Sequence, residues 1–182
     1  MSQQLLIQDL PTYLERELRS DHAGEMGAVY IYRGISAVAK LRRDPELLSF
    51  AQAHGATEAE HLRLVENWLP TSQRSLLLGP WRLAGWLTGA LPALFGKSAV
   101  YGTIAAVETF VDQHYQQQID HLNVSGGFEE LLALLIRCQA DEREHRDEAL
   151  GLTGHSMNIF MRAWCLIVGW GSAFAVSLAR RV

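Results

Sequence analysis

Apolar positions recur at helical spacing along nearly the whole chain, and no segment alternates with the two-residue period of a strand. Between 131 and 152, Leu131, Leu135, Cys138, Glu142, His145, Ala149 and Leu152 follow steps of three and four, which places them on one helical face. Ala51, His54, Glu58, His61, Val65 and Trp68 repeat the pattern. Both stripes predict α-helices whose buried face contains acids and histidines, while Arg143, Glu144, Arg146 and Asp147 in one segment and Glu60 and Arg63 in the other fall off the stripe and are free to be solvated.

Stop and start signals divide the pattern. The first helix is expected from about Ser20 and Asp21 to Leu41. Asp44 is a good N-cap for a second helix with Pro45 in its first position, running to Leu69 and stopped by Pro70. A long connection occupies 71–97. The third helix spans 98–122 and is broken by the run from Asn123 to Gly127. The fourth spans 128–150 and is ended by Gly151 and Gly154, and a last apolar helix covers 156–179. This layout is two helical hairpins, 20–69 and 98–150, joined by a long crossover, in one domain of 182 residues.

Each hairpin carries the same chemistry. Glu25 lies 33 residues before Glu58, which opens a Glu-x-x-His ending at His61; Glu108 lies 34 residues before Glu142, which opens a second ending at His145. A lone Glu from each of two helices and a Glu-x-x-His from each of two others is the ligand set of a dinuclear metal site inside a four-helix bundle. Glu108 is the only charge in 100–111, and Glu25 sits among Ala23, Gly24, Met26, Gly27 and Ala28, small neighbours that let helices approach closely. A bare buried carboxylate is very costly, and several would repel one another. Two divalent cations neutralise four carboxylates, two neutral imidazoles complete the set, and carboxylate with imidazole suits iron or manganese. His54, on the same stripe, reads as a core or supporting residue rather than a ligand.

Composition narrows the function. A net charge of −4 with no basic run argues against nucleic acid. Cys138 and Cys165 match no metal or redox spacing and read as inert core thiols. The first twenty residues lack the apolar run of a signal peptide. No glycine-rich nucleotide fingerprint is present, so a conventional NADH domain is not expected.

Four segments, LRSDHAGEMGA around Glu25, ATEAEHL around Glu58, AAVETFVDQHY around Glu108 and DEREHRDEAL around Glu142, resemble the demethoxyubiquinone hydroxylase family of ubiquinone biosynthesis. The crossover GPWRLAGWLTGALPALFGK resembles the stretch between that family's two hairpins, and the likeness covers about 18–180. It implies a ferritin-like di-iron carboxylate fold with two Fe ions per chain on Glu25, Glu58, His61, Glu108, Glu142 and His145. It implies a monooxygenase that uses O2 to hydroxylate the ring of a demethoxyubiquinol, with electrons from NADH, a reductase or the quinol itself. His114, Tyr115 and His22 are candidates for supporting the ligands or relaying electrons; Tyr115 shares the face of Glu108, and a core Tyr with a surface His is the alternative. Arg146 departs from the family's acid-rich run and is expected to face outward.

A polyprenyl quinone resides in a bilayer, so the enzyme is expected on a membrane surface. The 76–95 segment has Trp81, Trp86, many leucines and one charge, Arg82, but its prolines and glycines make it a poor span; it reads as an interfacial helix, with a core-covering segment as the alternative. Positions 163–179 are uncharged, just short of a span, and read as an interfacial or bundle-packing helix, with a true span as the lesser alternative. The expected location is peripheral, on the cytoplasmic face of the inner (plasma) membrane, with a homodimer or a lipid-binding pathway protein as compatible partners. The competing functions are another di-metal enzyme (a peroxidase, a catalase or a tRNA hydroxylase) and iron storage. The acidic balance weighs against tRNA and the apolar crossover against a storage shell.

Overall fold

The computed structural model describes residues 10–153 and 158–182. Among them the chain is all-α, with six α-helices and no strand: α1 (Thr12–Arg42), α2 (Pro45–Glu66), α3 (Leu78–Phe95), α4 (Lys97–Ser125), α5 (Glu129–Thr153) and α6 (Ile159–Ala179), with one 3-10 turn at Thr71–Gln73. The start of the chain, Gly154 as a helix stop and Ser156 as a helix start lie outside the described residues. Two compact units emerge, one drawn from Met1–Leu91 with Ala173–Val182 and the other from Pro92–Ser172.

In the first unit, α1 and α2 form an antiparallel hairpin. Arg43, in the left-handed region at φ 57°, reverses the chain. Asp44 then caps α2, its carboxylate accepting from Leu47 N at 3.0 Å, with Pro45 in the first turn, as the sequence predicts. The hairpin core includes Leu18, Ile35, Ala39, Leu47 and Val65, all buried. α1 begins eight residues before the expected start at Ser20. Leu14, Glu17 and Leu18 are buried on one face, so packing extends the helix backward, and the Ser20 hydroxyl, inside the helix, donates to Glu17 O at 2.7 Å. Arg180 closes on the buried Glu17, its Nη2 2.7 Å from Oε2. α2 stops at Glu66, short of Pro70, so Trp68 leaves the predicted stripe half-buried and Leu69 takes the core position.

The connection is ordered. Arg19 Nε donates to Gln73 O at 2.6 Å, and Arg74 pairs with Glu66 at 2.7 Å. α3 then lies on α1 at backbone contact. A Cβ on Gly85 would strike Gly27 O, one on Gly89 would strike Ile31 O, and one on Gly34 would strike Trp86 O. Glycines on both helices are therefore required by the close approach.

In the second unit, α4 and α5 form the other hairpin. α4 runs through Asn123 to Ser125, beyond the expected break, and ends on Gly126 and Gly127 at φ 69° and 77°. α5 continues through Gly151. Its inward stripe finishes at Thr153 rather than Leu152, which is 44% exposed. An α-helix turns slightly less than the strict three-four alternation assumes, so a step of four restores the face. The Thr153 hydroxyl donates to Ala149 O at 2.7 Å, and Ser98 Oγ donates to Thr153 O at 2.9 Å. On α6, Trp164 Nε1 donates to Thr103 Oγ1 at 2.9 Å, and Cys165 Sγ lies 3.2 Å from Gly102 O. Cys138 is buried but Cys165 is only half-buried, so one of the two thiols departs from the expected core placement.

Candidate metal-binding triads

The first unit brings Glu25, Glu58 and His61 together. Glu25 projects from the middle of α1, and Glu58 and His61 from one face of α2, three residues apart. Each offers one ligand atom, these atoms lie within 4.8 Å of one another, and all three residues are buried. His61 Nδ1 stands 3.8 Å from Glu25 Oε2, too far for those two atoms to hydrogen-bond and close enough to share an ion. The second unit repeats the arrangement with Glu108 on α4 and Glu142 and His145 on α5, again buried, with one ligand atom each inside 4.8 Å. His145 Nδ1 is 3.6 Å from Glu142 Oε2.

The donor chemistry of each triad fits one divalent cation. Two carboxylates cancel its charge, a neutral imidazole adds a donor, and oxygen and nitrogen donors without sulfur suit iron or manganese over softer metals. Without an ion, burying two carboxylates this closely is strongly unfavourable.

The surroundings differ. His54, one turn before Glu58, is held between rings: its centroid is 4.2 Å from that of Phe50 and 5.7 Å from that of Tyr32. His54 thus belongs to the core, as the stripe predicts. His22, one turn before Glu25, is fully buried with Nε2 3.3 Å from Glu66 Oε1; burial pushes its imidazole below the ordinary 6.5, opposed by the hydrogen bond to Glu66. In the second unit His114 and Tyr115 are both buried, which removes the surface reading of His114. His114 Nε2 lies 3.2 Å from Gln118 Nε2.

Sequence reasoning missed Asp112. It follows Glu108 by one turn on α4 and gathers three side chains of α5: Gln139 Nε2 donates to Oδ1 at 2.9 Å, Arg143 Nε to Oδ1 at 2.8 Å, and Arg146 Nη1 to Oδ2 at 2.6 Å. Arg146 is therefore half-buried in a cross-helix ion pair rather than pointing outward. The four-residue step from Glu108 was the available signal.

Known proteins are similar to this chain over most of its length. The model of the family described as "Ubiquinone biosynthesis protein COQ7" matches residues 12–179. The "NADPH-dependent 3-demethoxyubiquinone 3-hydroxylase, mitochondrial" of Dictyostelium discoideum is 34% identical over 135 residues, 72% of this chain and 61% of that protein. The "3-demethoxyubiquinol 3-hydroxylase" of Rhodospirillum rubrum is 38% identical over 138 residues, 74% of this chain and 62% of the relative. The Caenorhabditis elegans protein of the same name as the first is 28% identical over 169 residues, covering 90% and 89%. The chain thus spans about three-fifths of the length of the first two relatives.

Proposed function

This chain belongs to the ubiquinone biosynthesis protein COQ7 family, and on that premise we propose that it hydroxylates the ring of a demethoxyubiquinol at a di-iron centre, using O2. The two buried Glu-Glu-His triads carry this reading. In it, both hairpins belong to one ferritin-like domain, and Glu25, Glu58, His61, Glu108, Glu142 and His145 hold two iron ions in one centre. Four carboxylates then balance two ferrous ions, which makes so acidic an interior tolerable. When bound, the iron pair supplies the activation of O2 and the electrons for its first reduction.

The protein's own contribution is positional. The triads hold their donors on helices rather than loops, which positions them more precisely than loops would. Glu108 and Glu142 are themselves buried, as are Ile104 and Val107 on α4 and Leu135 on α5, so the site would be kept dry. Tyr115, two turns after Glu108, and His114 beside it are assigned to electron relay; His22 is assigned to support of Glu25. The names of the Dictyostelium discoideum and Caenorhabditis elegans relatives specify NADPH, that of the Rhodospirillum rubrum relative does not, and a nicotinamide donor is the electron source in this reading. α3 presents Leu83, Trp86, Leu87 and Leu91 to solvent, and α6 is long and apolar enough to cross a membrane. Both are assigned to a bilayer surface from which the quinone is drawn, at the inner (plasma) membrane, with α6 lying at the interface.

The test is iron per chain by elemental mass spectrometry, followed by turnover of demethoxyubiquinol with O2 and NADPH. Two irons and quinone hydroxylation are expected. A ratio far above two points to storage, and two manganese ions point to a catalase-like centre. No metal after anaerobic ferrous reconstitution overturns the assignment.

A further inference from the structure

Acids are absent from two stretches of a chain that is acidic overall. No Asp or Glu occurs between Met26 and Arg43, nor between Asn67 and Leu91. The first stretch carries Arg33, Lys40, Arg42 and Arg43, and the second Arg74 and Arg82. The fold joins these stretches by laying α3 on α1 through the glycine contacts described above. At that junction two guanidinium groups converge on one aromatic ring: Arg33 Cζ lies 4.6 Å from the Tyr30 ring centroid and Arg82 Cζ 5.8 Å. Both arginines are exposed, and neither is ion-paired among the described residues. Arg74, by contrast, is ion-paired with Glu66.

Two like charges gathered on one ring repel each other, and cation–π attraction offsets only part of that at an exposed site. An anion placed between them would remove the repulsion. What such an anion belongs to follows from the next turns of α3. Leu83, Leu87 and Leu91 recur at four-residue steps on its solvent side, joined by Trp86, and all are exposed. Arg82 stands on the flank of that apolar stripe, between it and α1. An apolar helical face edged by tryptophan and arginine is the arrangement that lies in the plane of a bilayer, with the cations at the level of the lipid phosphates.

We propose that Arg33 and Arg82, stacked on Tyr30, form a seat for the phosphate of an anionic phospholipid, and that it gives the α3 face a preference for negatively charged bilayers. The seat lies wholly on α1 and α3 and uses none of the six assigned ligands. It rests on the membrane reading above and adds to it a headgroup chemistry and the residues that recognise it. Tyr30 keeps the two side chains in one place, so less of their freedom is lost when a headgroup docks.

The experiment is co-sedimentation of the iron-loaded full chain with vesicles of phosphatidylcholine alone and of phosphatidylcholine mixed with phosphatidylglycerol. Each basic residue near an anionic surface contributes about fivefold in affinity, so Arg33→Gln/Arg82→Gln is expected to lose on the order of twentyfold on the mixed vesicles and little on phosphatidylcholine. Arg43→Gln/Arg137→Gln removes equal charge elsewhere and is expected to keep the preference. Arg82→Lys keeps the charge and is expected to retain most of it. The single Arg→Gln variants carry the same test at about fivefold each if the double variant does not fold. Inorganic phosphate at millimolar concentration is expected not to displace the protein; displacement would assign the seat to a small free anion and overturn the lipid proposal. An unchanged preference in the double variant, or an equal loss on both vesicles, overturns it as well. Failure of the wild-type chain to bind either vesicle would instead overturn the membrane reading on which it rests.

Discussion

The two hairpins present the same three donors from the same helical positions, yet they support them by different means. Around Glu25, Glu58 and His61 the neighbours are rings and glycines: Tyr32, Phe50 and His54 fill the space between α1 and α2, and α3 closes against α1 at backbone contact. Around Glu108, Glu142 and His145 the support is a polar clamp, with Asp112 drawing three α5 side chains onto α4. A ligand set is thus a demand on three donor atoms, and packing or hydrogen bonding can each meet it. The first hairpin should be sensitive to volume and the second to charge.

The comparison breaks most completely at the donors themselves. Glu25→Ala and Glu108→Ala should each abolish turnover and lower the iron content from two per chain toward one or none, since both triads are taken to serve one centre. A variant with full activity in either case would remove that carboxylate from the ligand set, and loss in one variant alone would show that the triads do not act together.

Metal removal comes next. An ion held at a hundred times its dissociation constant stabilises the folded chain by about 2.7 kcal/mol, and each kcal/mol moves the melting temperature of a chain this size by roughly 2–4 °C. Chelation should therefore lower the melting temperature by about 5–10 °C, measured by calorimetry before and after ferrous reconstitution. An unchanged melting temperature would mean that the triads are stable without an ion.

The supports can then be told apart. Asp112→Ala removes the acceptor shared by Gln139, Arg143 and Arg146 and should cost about 1–3 kcal/mol in urea unfolding. Asp112→Asn keeps the shape and part of the bonding and should recover some of that stability. Gly89→Ala, on α3 in the first unit, drives a methyl group into Ile31 O and should cost about 1–3 kcal/mol in urea unfolding. Gly169→Ala, which meets nothing within 4 Å, should be neutral or slightly stabilising. Equal effects at Gly89 and Gly169 would contradict the backbone contact between α3 and α1.

These contrasts follow what could and could not be read from the sequence. The six donors and the two hairpins were legible because helical periodicity and the repeated spacing are local properties. The cap at Asp44 was legible for the same reason, since a side chain three residues from the amide it accepts is fixed by the backbone alone. The early start of α1 was not: Leu14 and Leu18 are held by packing, and Glu17 by Arg180 at the far end of the chain. The Asp112 clamp was equally hidden, because its partners on α5 are about thirty residues away and nothing in their own segment distinguishes a clamping arginine from a solvated one. Trp68 and Leu152 erred by a single position, where the helix ended or its phase had drifted.

The smallest effect separates the hairpins by pH. His22 is fully buried in the first hairpin, and burial holds its folded-state pKa below the 6.5 of the unfolded chain despite Glu66. As pH falls through 6.5 the unfolded chain takes up a proton there while the folded chain does not. Unfolding then binds a proton, and stability must fall with pH until the folded imidazole is itself protonated. The loss cannot exceed about 1.4 kcal/mol per pH unit for one group, and the Glu66 hydrogen bond shortens the window over which it accrues. Urea midpoints of the iron-loaded protein at neutral and mildly acidic pH, compared with those of His22→Gln, isolate the term, because the remaining carboxylates and histidines titrate alike in both. The wild type should lose more stability than the variant on acidification. A variant that loses as much would mean that His22 gives up no more proton affinity on folding than glutamine does, and that its burial beside Glu66 and Arg74 is matched by compensating charge.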